Sequence, residues 1–140
     1  MSDPRLRIVL VDADPARRMS IEKDLGYLGY HRVVPVSSLQ ALIVLLDNAI
    51  DTFGLLVINE ETVQAAGAGF NQLLADYACI RHSLMYKGAT LQVSPGTHTL
   101  FPRYGFIASG VPDRSILAQV MKQIDGQARH GVARGLPVPG

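Results

Sequence analysis

The sequence predicts an α/β domain built on a parallel sheet with helices on both faces. Three observations predict it. Short β-branched runs alternate with helical patterns along the chain, and parallel neighbours need such crossover connections. The runs are apolar throughout, as in strands buried on both sides. The chain has 140 residues, 48% hydrophobic and 18% charged, enough for one domain with a proper core and too few for two ordinary ones.

"RLRIVLVDADP" (5–15) carries the first strand, with Ile8 to Val11 running into acidic residues and a proline. Asp14 is placed as N-cap and Pro15 in the first turn of a helix, "ARRMSIEKDLGYLG", whose natural stop is Gly29. "HRVVPV" (31–36) reads as a second strand, and Pro35 assigns it to an edge. Ser37 or Ser38 caps the nearly all-apolar helix "SLQALIVLLDNA". "FGLLVI" (53–58) is the third strand, and Glu60 and Glu61 after it read as a solvated loop, their other reading being metal ligands beside Asp12. A third helix is expected from Gly67 to Tyr77. From His82 to Arg103 the pattern weakens: "SLMY" and "TLQV" are both strand-like, and "SPGTHTLFP" breaks any helix that should follow. "YGFIAS" is a strand, and "VPDRSILAQVMKQI" is a helix started by Pro112 and Asp113. The elements therefore occupy residues 1–125, and the glycine-rich stretch 126–140 reads as a linker or C-terminal tail. Five strands in about 125 residues fit a flavodoxin-like doubly wound sheet, order 2-1-3-4-5, with the fourth-helix region atypical.

The bulk numbers exclude several functions. A net charge of +1 supplies no global field to draw in nucleic acid or a membrane surface. No apolar run of about eighteen residues is present, and "MSDPRLR" lacks a secretory apolar segment. The single cysteine, Cys79, rules out an intramolecular disulfide and fits a reducing compartment, so the expected location is the cytoplasm. The four histidines show no metal-ligand spacing. Arg17 and Arg18 are read as a solvated helix face, with contact to a partner as the other reading.

"RIVLVDADPARR", "FGLLVIN" and "YGFIASGVPDRSILAQVMKQI", taken in order, resemble the receiver domain of bacterial two-component response regulators over residues 6 to about 124. The resemblance implies a crevice where carboxylates at the ends of strands one and three bind Mg²⁺. It implies that the strand-three carboxylate takes a phosphoryl group, which a Thr or Ser after strand four and a Lys after strand five then grip. Mg²⁺ prefers hard oxygen ligands, and the nucleophile must be an anionic oxygen.

This sequence departs from that pattern at several positions. The acidic pair falls on Asp12 and Ala13, the phosphoacceptor position on Asn59, and the lysine position on Ser109, followed by Gly110. The Thr/Ser position is Ser94 if strand four is "ATLQV" and Lys87 if it is "HSLMY". An amide is a poor nucleophile, and an acid, the nucleophile and the lysine are replaced together. The expectation is a degenerate pseudo-receiver: not an enzyme, with no metal and no cofactor. Its output would be contact with a protein partner or self-association as a homodimer, without direct binding to nucleic acid or membrane. The resemblance implies an effector domain, such as a transcriptional one, beyond the tail. Leu100, Phe101 and Tyr104 form the candidate interaction surface, their other reading being a cover for the core. The alternative function is a sensor holding a small polar ligand or a metal in the former crevice, using Asp12, Asn59, Ser109 and Ser94.

Overall fold

The structure is a computed structural model. It describes residues 5–65, 77, 79–87, 98–101, 105–108 and 110–135, by backbone only at 63, 65, 98–101, 105 and 126–135. In chain order the elements are β1 (Ile8–Val11), α1 (Pro15–Tyr27), β2 (Val33–Val36), α2 (Leu39–Asp47), β3 (Leu55–Asn59), α3 (Glu60–Ala65), β4 (Ser83–Tyr86), β5 (His98–Phe101), β6 (Gly105–Ala108) and α4 (Arg114–Gly135).

Five strands are parallel in the order β2-β1-β3-β4-β6, which is the doubly wound order the sequence predicts. A sixth, β5, pairs antiparallel on the outside of β6. "HTLF" was not expected as a strand, because the prolines and glycine around it read as breakers. As an outermost strand it pairs on one side only, which tolerates such neighbours.

The alternation along each strand divides the core. Ile8, Leu10, Leu55, Val57, Leu84, Tyr86 and Phe106 face Ile21 and Leu25 of α1 and Leu117, Val120 and Met121 of α4. Val9, Val11, Leu56 and Ile58 face Leu39, Leu42 and Leu46 of α2. Helices therefore cover both faces, and every residue of β1 and β3 is buried. β2 lies at the sheet margin with Pro35 exposed, where its missing N–H removes no ladder bond.

The helix signals are used as written. The Asp14 carboxylate accepts from Ala16 N–H at 2.9 Å, and Pro15 opens α1. Gly29 ends the turn after α1 at φ +99°, a conformation that favours glycine. Ser38, rather than Ser37, caps α2 through Ala41 N–H. Asp113 accepts from Ile116 N–H at 2.9 Å at the start of α4.

Two expectations need revision, and a third falls almost wholly outside the described residues. Glu60 and Glu61 do not form a loop; they are the first turn of α3, where their charge suits the positive end of the helix dipole. The third helix expected from Gly67 lies outside the described residues, apart from Tyr77, which is not helical. Finally, α4 does not stop near Ile124 but runs to Gly135, so much of the stretch read as a linker is helical. Its early turns bury Ile116, Leu117, Val120, Met121 and Ile124, and a helix nucleated in that way propagates at low cost per residue. Among the described residues, no helix is long and apolar enough to cross a membrane.

Candidate functional site

The carboxyl ends of β1, β3 and β4 meet in one row on the α1 side of the sheet. The register pairs Val11 with Ile58, and Asn59 with Tyr86. One step beyond Val11, therefore, Asp12 lies beside Asn59, with Tyr86 next along. In the preceding row, Leu10, Val57 and Leu84 belong to the apolar core. Polarity thus begins at the rim of the sheet, and Asp12 and Asn59 are both fully buried there.

The Asp12 carboxylate is saturated with donors. Its Oδ1 accepts from Asp14 N–H at 2.9 Å and from Arg17 Nη2 at 3.0 Å. Its Oδ2 accepts from Arg17 Nε at 2.9 Å and from the Tyr86 hydroxyl. A carboxylate offers about four acceptor sites, so none remains for a further ligand. Arg18 Nη1 adds a bond to the Asp12 carbonyl oxygen at 2.7 Å.

The protonation states follow from this network. Burial pushes the Asp12 carboxyl up, but the bonds from Arg17, Tyr86 and Asp14 N–H, together with the guanidinium charge, outweigh it and hold the group below its ordinary value. Burial, and then the bond to Asp12, push the Tyr86 phenol up, so it stays a neutral donor. The bond to Asp12 also raises Arg17 further.

Asn59 has a structural task of its own. Its Oδ1 accepts from Glu61 N–H at 2.9 Å, satisfying a donor in the first turn of α3. That turn sits directly on β3, so the side chain ending the strand also caps the helix. Ala13 is exposed in the turn after β1 and supplies no polar side-chain group.

Since β4 is Ser83–Tyr86, the residue that follows it is Lys87, which lies 3.8 Å from Glu60 on α3. The competing stretch "ATLQV" lies outside the described residues. Ser94, Ser109 and Tyr104 lie outside the described residues, as do the side chains of Leu100 and Phe101.

Two residues of this network carried no such role in the sequence. Arg17 is not on a solvated face: its side chain is only 17% exposed and turns back to Asp12. The available signal was two acidic residues, Asp12 and Asp14, just before a pair of arginines at a helix start, where the dipole alone disfavours a cation. Tyr86 could be found only by knowing that β4 lies two strands from β1.

The residue set does not fit the Mg²⁺ that the receiver resemblance implies. Asp12 has no free acceptor, Ala13 offers no ligand, and the Asn59 oxygen is engaged. Among the described residues, no group of three His, Cys, Asp or Glu side chains could hold a metal ion. Beside the network a cleft of about 440 Å³ opens at the ends of β1, β2 and β3, lined by Arg17, Ser37, Gln40, Asn59, Glu61 and Thr62 among others. In sheets of this order, ligands bind at this switch point.

Comparison with protein-family models and with curated proteins finds no match for this chain.

Proposed function

We propose that this chain is a pseudo-receiver, a signalling module that works without phosphorylation. It passes its state on through contact with a protein partner or a second copy of itself. The regulated effector, of the transcriptional kind the resemblance implies, is either attached to it or a separate protein. One observation carries the reading: Asn59, which the receiver resemblance assigns to the phosphoacceptor position, is committed to capping α3. The neutral amide cannot take a phosphoryl group as a carboxylate would. The saturated Asp12 beside it supports the same reading, because among the described residues no group of carboxylates could hold the metal needed to neutralise a phosphoryl donor.

The test is incubation of the protein with acetyl phosphate and Mg²⁺, followed by intact-mass measurement. The reading predicts no gain of a phosphoryl mass. A hydroxylamine-labile gain would overturn it.

A second reading rests on the cleft. Its size falls in the range of small-molecule sites, and its rim carries hydroxyl and amide groups suited to a small polar ligand. A metabolite that raises the melting temperature, and fails to do so in Gln40→Leu, would favour a sensor over a contact module.

A further inference from the structure

We propose that the amino end of the sheet is a basic docking face for the acidic carboxyl end of a second copy of this chain. The inference deepens the contact-module reading and rests on it for its functional sense. The charges that carry it are independent of the receiver resemblance. Parallel strands all start at one end of a sheet, so the residues just before them share an edge. Arg7 precedes β1, Arg32 precedes β2, and Arg81 lies two residues before β4. The backbone bonds bring them into one row. Ile8 N–H donates to the Arg32 carbonyl at 2.9 Å, Gly54 N–H to the Arg7 carbonyl at 2.8 Å, and Arg81 N–H to the Phe53 carbonyl at 3.0 Å. Neighbouring strands lie about 4.8 Å apart, so the three arginines are spread across β2, β1, β3 and β4.

Like charges side by side destabilise a sheet unless something answers them. Arg7 is answered within the chain: it stacks over the Phe53 ring at 4.3 Å and lies 3.9 Å from Asp51. Asp24 and Asp47, in the last turns of α1 and α2, are engaged elsewhere. Asp24 pairs with Arg114 at 3.3 Å, and Asp47 accepts from the Tyr77 hydroxyl at 2.6 Å. Arg32 and Arg81 are exposed and meet no carboxylate among the described residues.

The opposite end of the sheet has the opposite sign. Asp14, Glu60 and Glu61 follow β1 and β3 there, with side chains 41%, 27% and 63% exposed. Together with Asp12 they outnumber Arg17, Arg18 and Lys87, the described cations beside them. A chain whose net charge is only +1 is therefore polarised along its strands. Moving one copy along the strand direction brings its Asp14, beyond β1, toward Arg7 and Arg32. The same shift brings its Glu60 and Glu61, beyond β3, toward Arg81 on neighbouring β4. Such a contact joins two different surfaces, so it is heterologous and extends beyond a pair. Complementary charge guides it, and salt screens it.

The experiment is sedimentation velocity of the whole chain over a concentration series, at low salt and at about 0.5 M NaCl. It compares the wild type, Arg32→Glu/Arg81→Glu, Glu60→Lys/Glu61→Lys, and an equimolar mixture of the two variants. The average mass of the wild type should rise with concentration at low salt and return to the monomer value at high salt. Each variant alone should self-associate at least about tenfold more weakly, because both of its ends carry one sign. The mixture should associate again, since each variant then meets an end of opposite sign.

If either variant fails to fold by circular dichroism, Arg32→Gln/Arg81→Gln and Glu60→Gln/Glu61→Gln take their place, and each should be monomeric at low salt. A wild type that stays monomeric overturns the inference, even if its basic row captures poly-glutamate or duplex DNA. Undiminished association in a folded variant, or a mixture of the charge-reversed variants that stays monomeric, overturns it as well. None of these results touches the pseudo-receiver reading, which falls only if acetyl phosphate adds a phosphoryl mass.

Discussion

Replacing Tyr86 with Phe removes one oxygen atom and tests the buried network at its least accessible point. The ring of Tyr86 is part of the core, and its hydroxyl donates to the Asp12 carboxylate across the end of β3. Phe keeps the ring packing, so the loss is confined to one hydrogen bond to a charged group, worth about 1.5–3 kcal/mol. Asp12 retains both Arg17 bonds and the Asp14 N–H, which places the expected cost toward the lower end, at about 1.5–2 kcal/mol. With a urea m-value of about 1.5–2 kcal/mol/M, the midpoint should fall by about 1 M. Tyr27→Phe is the control. Tyr27 is 71% exposed and would keep its ring under Arg114, so its change should stay within about 0.5 kcal/mol.

The pH dependence sharpens this prediction. Asp12 is held below its ordinary value in the folded protein, so its contribution is complete above about pH 4 and is lost as pH falls through the depressed value. Tyr86 is raised, so its contribution is complete below about pH 10 and is lost as pH rises through the elevated value. The gap between wild type and Tyr86→Phe should therefore be level from about pH 4 to pH 10 and narrow on either side. Urea titrations followed by circular dichroism would measure it. A gap below about 0.5 kcal/mol at pH 7 would refute the contact.

Other substitutions probe separate parts of the account. Asn59→Ala removes the cap of α3 and should cost about 1 kcal/mol in urea unfolding. Asn59→Asp places an acid at the position the receiver resemblance assigns to the phosphoacceptor but leaves Asp12 saturated, so acetyl phosphate with Mg²⁺ should still add no phosphoryl mass, and a gain would show that the amide alone silences the site. Gly54→Ala would place a Cβ 2.0 Å from Leu6 Cδ1 and 2.6 Å from its Cγ, forcing that side chain aside at a cost of about 1–3 kcal/mol, read as a lower melting temperature. Lys87→Ala removes only the half-exposed pair with Glu60 and should change stability by no more than about 0.5 kcal/mol.

The sheet was legible because its strands are short, apolar and punctuated by strong local signals. Asp14-Pro15, Ser38 and Asp113 cap helices whose positions require no tertiary information. Pro35 placed β2 at the margin, because a residue without an N–H is tolerated there. The same logic underused Asn59. An Asn followed by two glutamates is also a helix start, and the family pattern drew attention to what Asn59 lacks rather than to what it caps.

The network was less legible, since it depends on which side chains meet. Arg17 and Arg18 are adjacent in sequence, and only the phase of α1 decides which of them bonds the Asp12 carboxylate and which its carbonyl. Tyr86 lies 74 residues from Asp12, and their meeting depends on the register of two intervening strand pairs. β5 and the length of α4 escaped for a different reason. Glycine and proline mark breaks in a local reading, whereas pairing to β6 and propagation of a packed helix override them.

The central claim is that the crevice is chemically closed in the unmodified chain. An amide-resolved NMR titration with Mg²⁺, followed by beryllofluoride as a mimic of an acyl phosphate, tests it most directly. The account predicts no saturable shifts at Asp12, Ala13, Asn59, Glu61 or Lys87. Saturable shifts at those positions would contradict it and make the crevice a live binding site.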